Sequence, residues 1–420
     1  MDIEAVISRL VPNDELPFCR LGLLGLAAPA LSPRFAETVE LEVGDHNGPA
    51  CELVLVDARQ AEGPRLRTAA SRLVRDGLVL AIVGEERARA TARRLFEFGT
   101  DWSHPFGDGR DRIVAAGLDI HPSELGLTED SFCPPRPECR QLPQNRADRQ
   151  RRRFVRRRGR DRLIALARLL AERHGPAVQR VVEGVEDLVG ERPPRRGVGG
   201  RRPGMMSVPG LSVAPWPNPD ESPRLRSVVD ACNRLGPAVC KELRGLIATQ
   251  ELHAYLVDDY NAGKFQLGNP NEWQALRLVD WRDTAAALPS SLRATHRLLG
   301  ELGNRISGEV NVLRIGPETH LPLHHDDYDC EQYLHLGLTV PPGCGIRVGG
   351  ETREWLEGRA VVFSPAFAHE VWNTSCRPRD VVAIDLWHAD LSDLEIAALR
   401  QVRNELEMLR HERARAQGRA

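Results

Sequence analysis

Between residues 310 and 386 the chain breaks into eight short apolar runs bounded by turn residues, and no other feature narrows the fold as much. The runs cover 310–315, 321–326, 333–340, 345–348, 351–355, 360–363, 369–373 and 381–386. Pro341-Pro342-Gly343, Gly349-Gly350 and Glu357-Gly358 supply turns between them. Strand side chains alternate faces. In 333–340 this buries Leu334, Leu336, Leu338 and Val340 in a core between sheets, and turns Tyr333, His335, Gly337 and Thr339 toward a cavity. Many short strands at this spacing predict a double-sheet jelly roll. Helical apolar spacing at 223–249, 290–306 and 391–411 predicts flanking helices, the first broken near Gly236-Pro237.

The chemistry sits in the same stretch. Five of the 13 histidines (His320, His324, His325, His335, His369) fall within 50 residues. In an extended strand His324 and Asp326 point one way and His325 the other. His369, 45 residues beyond His324, adds a second imidazole to that set. Two imidazoles and one carboxylate form the facial triad of non-haem Fe(II) oxygenases, which leaves positions open for a co-substrate and O₂. Arg379 supplies a permanently charged fork that takes a carboxylate bidentately. Near iron it can anchor the distal carboxylate of 2-oxoglutarate. In a regular last strand Arg379, Val381, Ala383 and Asp385 share one face. A lone His-x-Asp is common by chance, so the clustering carries the reading.

The motifs around these residues extend the argument. They are P-E-T-H-L-P-L-H (317–324), H-L-G-L (335–338), G-C-G-I-R-V (343–348), E-T-R-E-W-L-E-G (351–358), H-E-V-W-N (369–373) and D-L-W-H (385–388). V-P-G-L (208–211), Trp216 and W-Q-A-L (273–276) precede them. Over roughly 208–394 the chain resembles the aspartyl/asparaginyl β-hydroxylase family of Fe(II)/2-oxoglutarate-dependent dioxygenases. The resemblance implies a double-stranded β-helix of cupin-like form, with iron on His324 and His369, His335 against 2-oxoglutarate, and Arg379 on its distal carboxylate. It implies hydroxylation of an unactivated C–H, the β-carbon of an amino acid or amino-acid residue, with succinate and CO₂ as co-products. Two departures stand out. Well-known animal members have glycine where Asp326 stands, so here a complete triad is available and Asp326 is expected to ligate. The family often has arginine two residues before the His335 position, where this chain has Tyr333. Tyr333, His320 and Trp372 are the candidates for a pocket taking a small-molecule or peptide substrate, Trp372 having a competing reading as core.

With 420 residues a multidomain chain is expected. Residues 1–134 alternate strand and helix signals: a strand at 52–57, a helix at 64–75, a turn at Asp76-Gly77, a strand at 78–83 and a helix at 85–98. This predicts an α/β domain with a parallel sheet. It faintly resembles the C-terminal half of a class I methyltransferase, but lacks a glycine-rich loop after a first strand, so a degenerate or structural role is expected. Residues 135–207 read as an Arg/Pro/Gly-rich linker with a short helix at 161–174, because ten arginines between 146 and 162 repel one another. Residues 208–394 form the oxygenase-like domain and 395–420 a charged C-terminal helix.

Net charge of -2 argues against a globally basic nucleic-acid binder, and only Phe154 interrupts the arginine run as a stacking residue. No apolar run has membrane-spanning length, so no membrane partner is expected. Met1-Asp2-Ile3-Glu4 is acidic rather than the basic start of a signal peptide, and nine cysteines show no C-x-x-C pair. Reduced thiols in a cytoplasmic protein are the expectation. Cys133 and Cys139 have no histidine close by and predict no zinc site. Two competing functions remain: a non-catalytic cupin-like binding barrel, and a bifunctional chain with an N-terminal transferase.

Overall fold

A computed structural model describes residues 7, 20–26, 35, 37–43, 50–59, 62–84, 99–106, 111–118, 144–192, 203–255, 272–280 and 288–416. The chain divides into two units, one of Met1–Arg173, Val182–Arg196 and Val402–Ala420, the other of His174–Val181 and Gly197–Gln401.

The first unit contains β1 (Arg20–Leu24), β2 (Glu37–Glu40), β3 (Cys51–Asp57), α1 (Glu62–Ser71), β4 (Leu73–Gly84), β5 (Gly99–Phe106) and β6 (Asp111–Leu118). They build one sheet in the order β2-β1-β3-β4-β6-β5. The first four strands are parallel, and β6 and β5 are antiparallel additions. Asp76-Gly77 is not the turn expected after a helix. The helix ends at Ser71 and the pair falls inside β4, where the register shifts between Cys51–Leu73 and Leu53–Leu78. Extra residues in one strand of a pair are absorbed in this way without ending it. The helix expected at 85–98, and Cys133 and Cys139, lie outside the described residues.

The arginine-rich stretch is a helix, α2 (Gln144–His174), of 31 residues, where a linker with only a short helix was expected. Carboxylates remote in sequence explain the difference. Arg160 pairs with Glu191, and Arg162 reaches Glu405 and Glu412, each at 2.9 Å. Arg152 and Arg156 are buried. Local repulsion is offset by partners that a window along the chain does not contain. A further helix, α3 (Gln179–Val189), follows.

The second unit holds the barrel. Its elements are α4 (Pro223–Ile247), β7 (His253–Ala254), β8 (Trp273–Val279), α5 (Arg293–Leu302), β9 (Ile306–Ile315), β10 (Thr319–His324), β11 (Glu331–Thr339), β12 (Cys344–Val348), β13 (Glu351–Arg353), β14 (Ala360–Phe363), β15 (His369–Asn373) and β16 (Arg379–Trp387). A final helix, α6, spans Asp393–Ala416. Two antiparallel sheets form, one β14-β11-β16-β9-β8-β7 and the other β10-β15-β12-β13. This is the two-sheet arrangement of a cupin-like jelly roll. All eight expected strands are present, and β7 and β8 extend the larger sheet.

Two cores flank the larger sheet. Leu334, Leu336 and Leu338 bury with Val310 and Val312 against Leu235 and Leu243 of α4 and Leu298 of α5. The leucine face therefore packs on helices, not on the second sheet as the alternation alone suggested. The opposite face carries Ile315, Phe363 and Val381 toward Leu321, Ile346 and Val371 of the smaller sheet. That inter-sheet layer contains the site. No helix among the described residues is long and apolar enough to cross a membrane.

Helix α4 runs unbroken through Gly236-Pro237, where a break was expected. Buried Leu235 and Val239 on either side hold it against the sheet, which offsets the hydrogen bond that proline removes. Gly236 allows this fit, because the carbonyl oxygen of Gly358 lies where a side-chain carbon would be. Gly245, in the same helix, faces open space. Gly236→Ala should destabilise the protein by about 1–3 kcal/mol through overpacking. Gly245→Ala should instead be neutral or stabilise it by up to about 1 kcal/mol. Thermal denaturation of the two variants side by side checks the pair.

Candidate active site

The two histidines face one another because of a bulge. In the β10–β15 ladder Leu321 opposes Val371 and His324 opposes His369, a register shift of one residue. It puts both imidazoles on the inter-sheet side, with ring centroids 4.1 Å apart. Each ring is oriented by its own strand. His324 Nδ1 lies 2.7 Å from the carbonyl oxygen of Pro322, and His369 Nδ1 lies 2.8 Å from that of Phe367. A carbonyl can only accept, so in the neutral rings Nδ1 carries the hydrogen and Nε2 presents its lone pair.

Asp326 completes the set by a route that strand alternation did not foresee. The strand ends at His324, and Asp326 belongs to the following loop. Its N–H donates to the Pro365 carbonyl at 2.8 Å, and its carbonyl accepts from the Gly204 N–H at 2.8 Å. Beside it, the Met205 and Met206 N–H groups donate to the Asp327 carbonyl, and the Val208 N–H donates to the Asp329 carboxylate at 2.7 Å. This strap fixes the loop. Asp326 Oδ2 stands 3.7 Å from His369 Nε2. Ligand atoms of His324, Asp326 and His369 all lie within 4.8 Å of one another. Two neutral nitrogens and one anionic oxygen on one side suit a divalent first-row metal with open positions.

A chain of rings leads from these ligands to Arg379. Phe363 stands 5.5 Å from His369 and 5.0 Å from His335. His335 stacks on Trp355 at 6.0 Å, and the Arg379 guanidinium lies over that indole at 4.5 Å. Arg379 is 2% exposed. It forms no hydrogen bond or ion pair with a described residue, and its neighbour Asp380 is taken by Arg314 at 2.7 and 3.0 Å. Burial pushes the Arg379 guanidinium down to about 10, against the opposing pull of Cys344 and Asp380. His335 Nδ1 and Trp355 Nε1 are also buried without an acceptor among the described residues. Burial first, then the charges of Arg379 and His369, hold His335 well below the usual imidazole range, so it is neutral. A buried cation among orphaned donors is the environment a carboxylate ligand satisfies.

The substrate-pocket candidates separate. Tyr333 faces inward, edge-on to Phe363 at 5.8 Å and opposite Asp385 on β16. His320 and Trp372 do not belong to the pocket. His320 is exposed and bonds Glu370 at 2.8 Å, and Trp372 lies across from it over Gly345. The bulge separates His320 from the face of His324, although their spacing gives them the same parity. Sequence reasoning missed Glu309, Asn311, Arg277 and Tyr255 on the larger sheet's inner wall. The available signal was Asn311, a lone amide between Val310 and Val312.

Residues 237–389 match the family model described as Aspartyl/Asparaginyl beta-hydroxylase. The aspartyl/asparaginyl beta-hydroxylase of Mus musculus is 28% identical over 196 residues, 45% of this chain and 25% of its own length. The human aspartate beta-hydroxylase domain-containing protein 2 is 33% identical over 138 residues, 30% of this chain and 37% of its own length. The chain thus spans well under half the length of these curated relatives. A sugar phosphate isomerase of the cupin superfamily from Silicibacter pomeroyi overlaps 33% of this chain and 73% of its own, at 14% identity and a TM-score of 0.22. The barrel assignment rests on the strand order above.

The neutral state of His335 makes stability depend on pH. Its folded pKa lies below the unfolded 6.5, so the unfolded chain binds the extra proton. Its contribution is present above 6.5 and is lost progressively as pH falls from that value toward the lower folded pKa. Metal-free His335→Gln should therefore lose less stability than the parent between about pH 7.5 and 5.5, by urea denaturation at each pH.

Proposed function

We propose that the chain is an Fe(II)- and 2-oxoglutarate-dependent hydroxylase acting on a C–H bond of an amino acid or of an amino-acid unit in a peptide. The observation that carries this is the pairing of a His-Asp-His cluster with a buried guanidinium that has no acid partner among the described residues. A barrel that merely bound a neutral molecule would have no need of both.

The residues divide the work. His324, Asp326 and His369 would hold the metal, their rings already turned by the Pro322 and Phe367 carbonyls. Arg379 would take the distal carboxylate of 2-oxoglutarate, with Trp355 as a flat support that keeps the fork aligned. Neutral His335 would offer a hydrogen bond without a competing charge. Phe363 and the apolar inter-sheet layer exclude water from the space between them. Fe(II), 2-oxoglutarate and O₂, when bound, would supply the chemistry: O₂ is the oxidant, one of its atoms going to the new C–OH and the other to succinate, while 2-oxoglutarate loses CO₂. The names of the relatives support an amino-acid target.

Purified protein given Fe(II) and 2-oxoglutarate should release succinate slowly even without substrate, and no succinate under any condition would count against the proposal. His369→Ala should bind Fe(II) far more weakly, read by metal titration, because two ligands remain of three. Arg379→Ala should keep iron and raise the 2-oxoglutarate KM by roughly 10²-fold or more, as expected when one partner of a buried charge pair is removed. Equal iron loss in the two variants would contradict the assigned roles.

A further inference from the structure

We infer that the site takes its substrate by a positively charged amino group, received by the Asn311 amide oxygen and the Asp385 carboxylate on the inner wall of the larger sheet. This rests on the hydroxylase reading above. Val310 and Val312 face the helices, while Leu313 packs in the inter-sheet layer, so Asn311 shares the inner face. Asn311 opposes Ala383, and Ala383 opposes His335, which puts the amide in the same cross-strand row as His335. Asp385 and Tyr333 form the next row toward Asp326.

The amide is locked in one orientation. Asn311 Nδ2 donates to Glu309 Oε2 at 3.0 Å, and Glu309 Oε1 takes Arg277 at 3.0 Å. A carboxylate only accepts, so the amide nitrogen must face Glu309 and the oxygen must face away from it. That oxygen is buried, on a residue 4% exposed, and has no donor among the described residues. An unmet buried acceptor is costly, and no described residue meets this one, so a donor on a bound molecule fits it. 2-Oxoglutarate carries only acceptors and cannot supply it.

The charge of the donor follows from the neighbours. Asp385 Oδ2 accepts the Glu309 N–H at 2.9 Å and is seated against Gly308, where a side chain would collide with it. Burial, reinforced by the charges of Asp385 and Asp326, pushes the Tyr333 and Tyr255 phenols well above their usual range, so both stay neutral. Arg277, the cation of this wall, is engaged with Glu309 and Asp280. Among the described residues the wall is thus rich in oxygen acceptors, with the Glu309 and Asp385 carboxylates beside the single Arg277 guanidinium. An ammonium fits it, and a carboxylate placed there would meet like charge.

The test uses the full chain with Fe(II), 2-oxoglutarate and small probes whose one ionised group is known. N-acetyl-lysine amide and alanine amide carry an amine, and N-acetyl-aspartate amide carries a carboxylate. Succinate release above the substrate-free rate should appear with an amine probe and be absent with the carboxylate probe. Asn311→Leu should raise the KM of that amine probe about tenfold or more, the scale of one hydrogen bond to a charged donor. Asn311→Ser, which keeps an acceptor, should recover part of the loss and serves if the leucine variant does not fold. Stimulation by the carboxylate probe, an unchanged KM in Asn311→Leu, or no amine stimulation while substrate-free release proceeds would each overturn the inference. Absence of any succinate would instead overturn the hydroxylase reading beneath it.

Discussion

The buried Arg379 guanidinium sets the terms for the rest of the barrel. A lone ion inside protein is costly unless it is paired or solvated. Trp355 lies beneath it, the donors of His335 and Trp355 beside it lack acceptors among the described residues, and no described acid pairs with it. The adjacent acid Asp380, and Glu370 of the smaller sheet, are occupied elsewhere. Asp380 binds Arg314, and Glu370 binds His320 and Arg347 on the outer face. The sheet's alternation keeps the two sets of charges apart, since neighbours along a strand point to opposite sides.

Across the inter-sheet layer the polarity reverses. The Arg379 end offers donors, whereas the Asp385 and Asn311 end offers acceptors. Phe363 stands 5.5 Å from His369, one of the metal-ligand candidates. Such a gradient would orient a molecule with opposite charges at its two ends, and would give the proposed co-substrate and substrate separate places. Shape alone would not do this in a smooth apolar barrel.

Much of this was legible in the sequence, for local reasons. Eight strands followed from alternating apolar residues and glycine or proline turns, and His324, His369 and Arg379 came with them. What escaped depended on contacts between distant segments. One bulge between Leu321 and His324 removed His320 and Trp372 from the pocket, and no periodicity announces a bulge. Asp326 reaches the cluster through backbone hydrogen bonds to residues 204 and 365 rather than through strand geometry. The arginine-rich helix needed Glu191, Glu405 and Glu412 to hold it. Asn311 looked like a strand residue until its neighbour Glu309 showed which way its amide must point.

The strap at residues 204–208 has a consequence for the order of events in folding. The acid of the cluster sits on a loop that is tied to peptide groups more than a hundred positions upstream. Closing so long a connection is slow and entropically costly, and it follows rather than precedes the formation of short-range hairpins. The two imidazoles can meet as soon as β10 and β15 pair, but Asp326 is fixed only when residues 204–208 have reached its loop. Completion of the His324–Asp326–His369 cluster therefore depends on a contact that is distant in sequence, whereas the pairing of its two imidazoles does not.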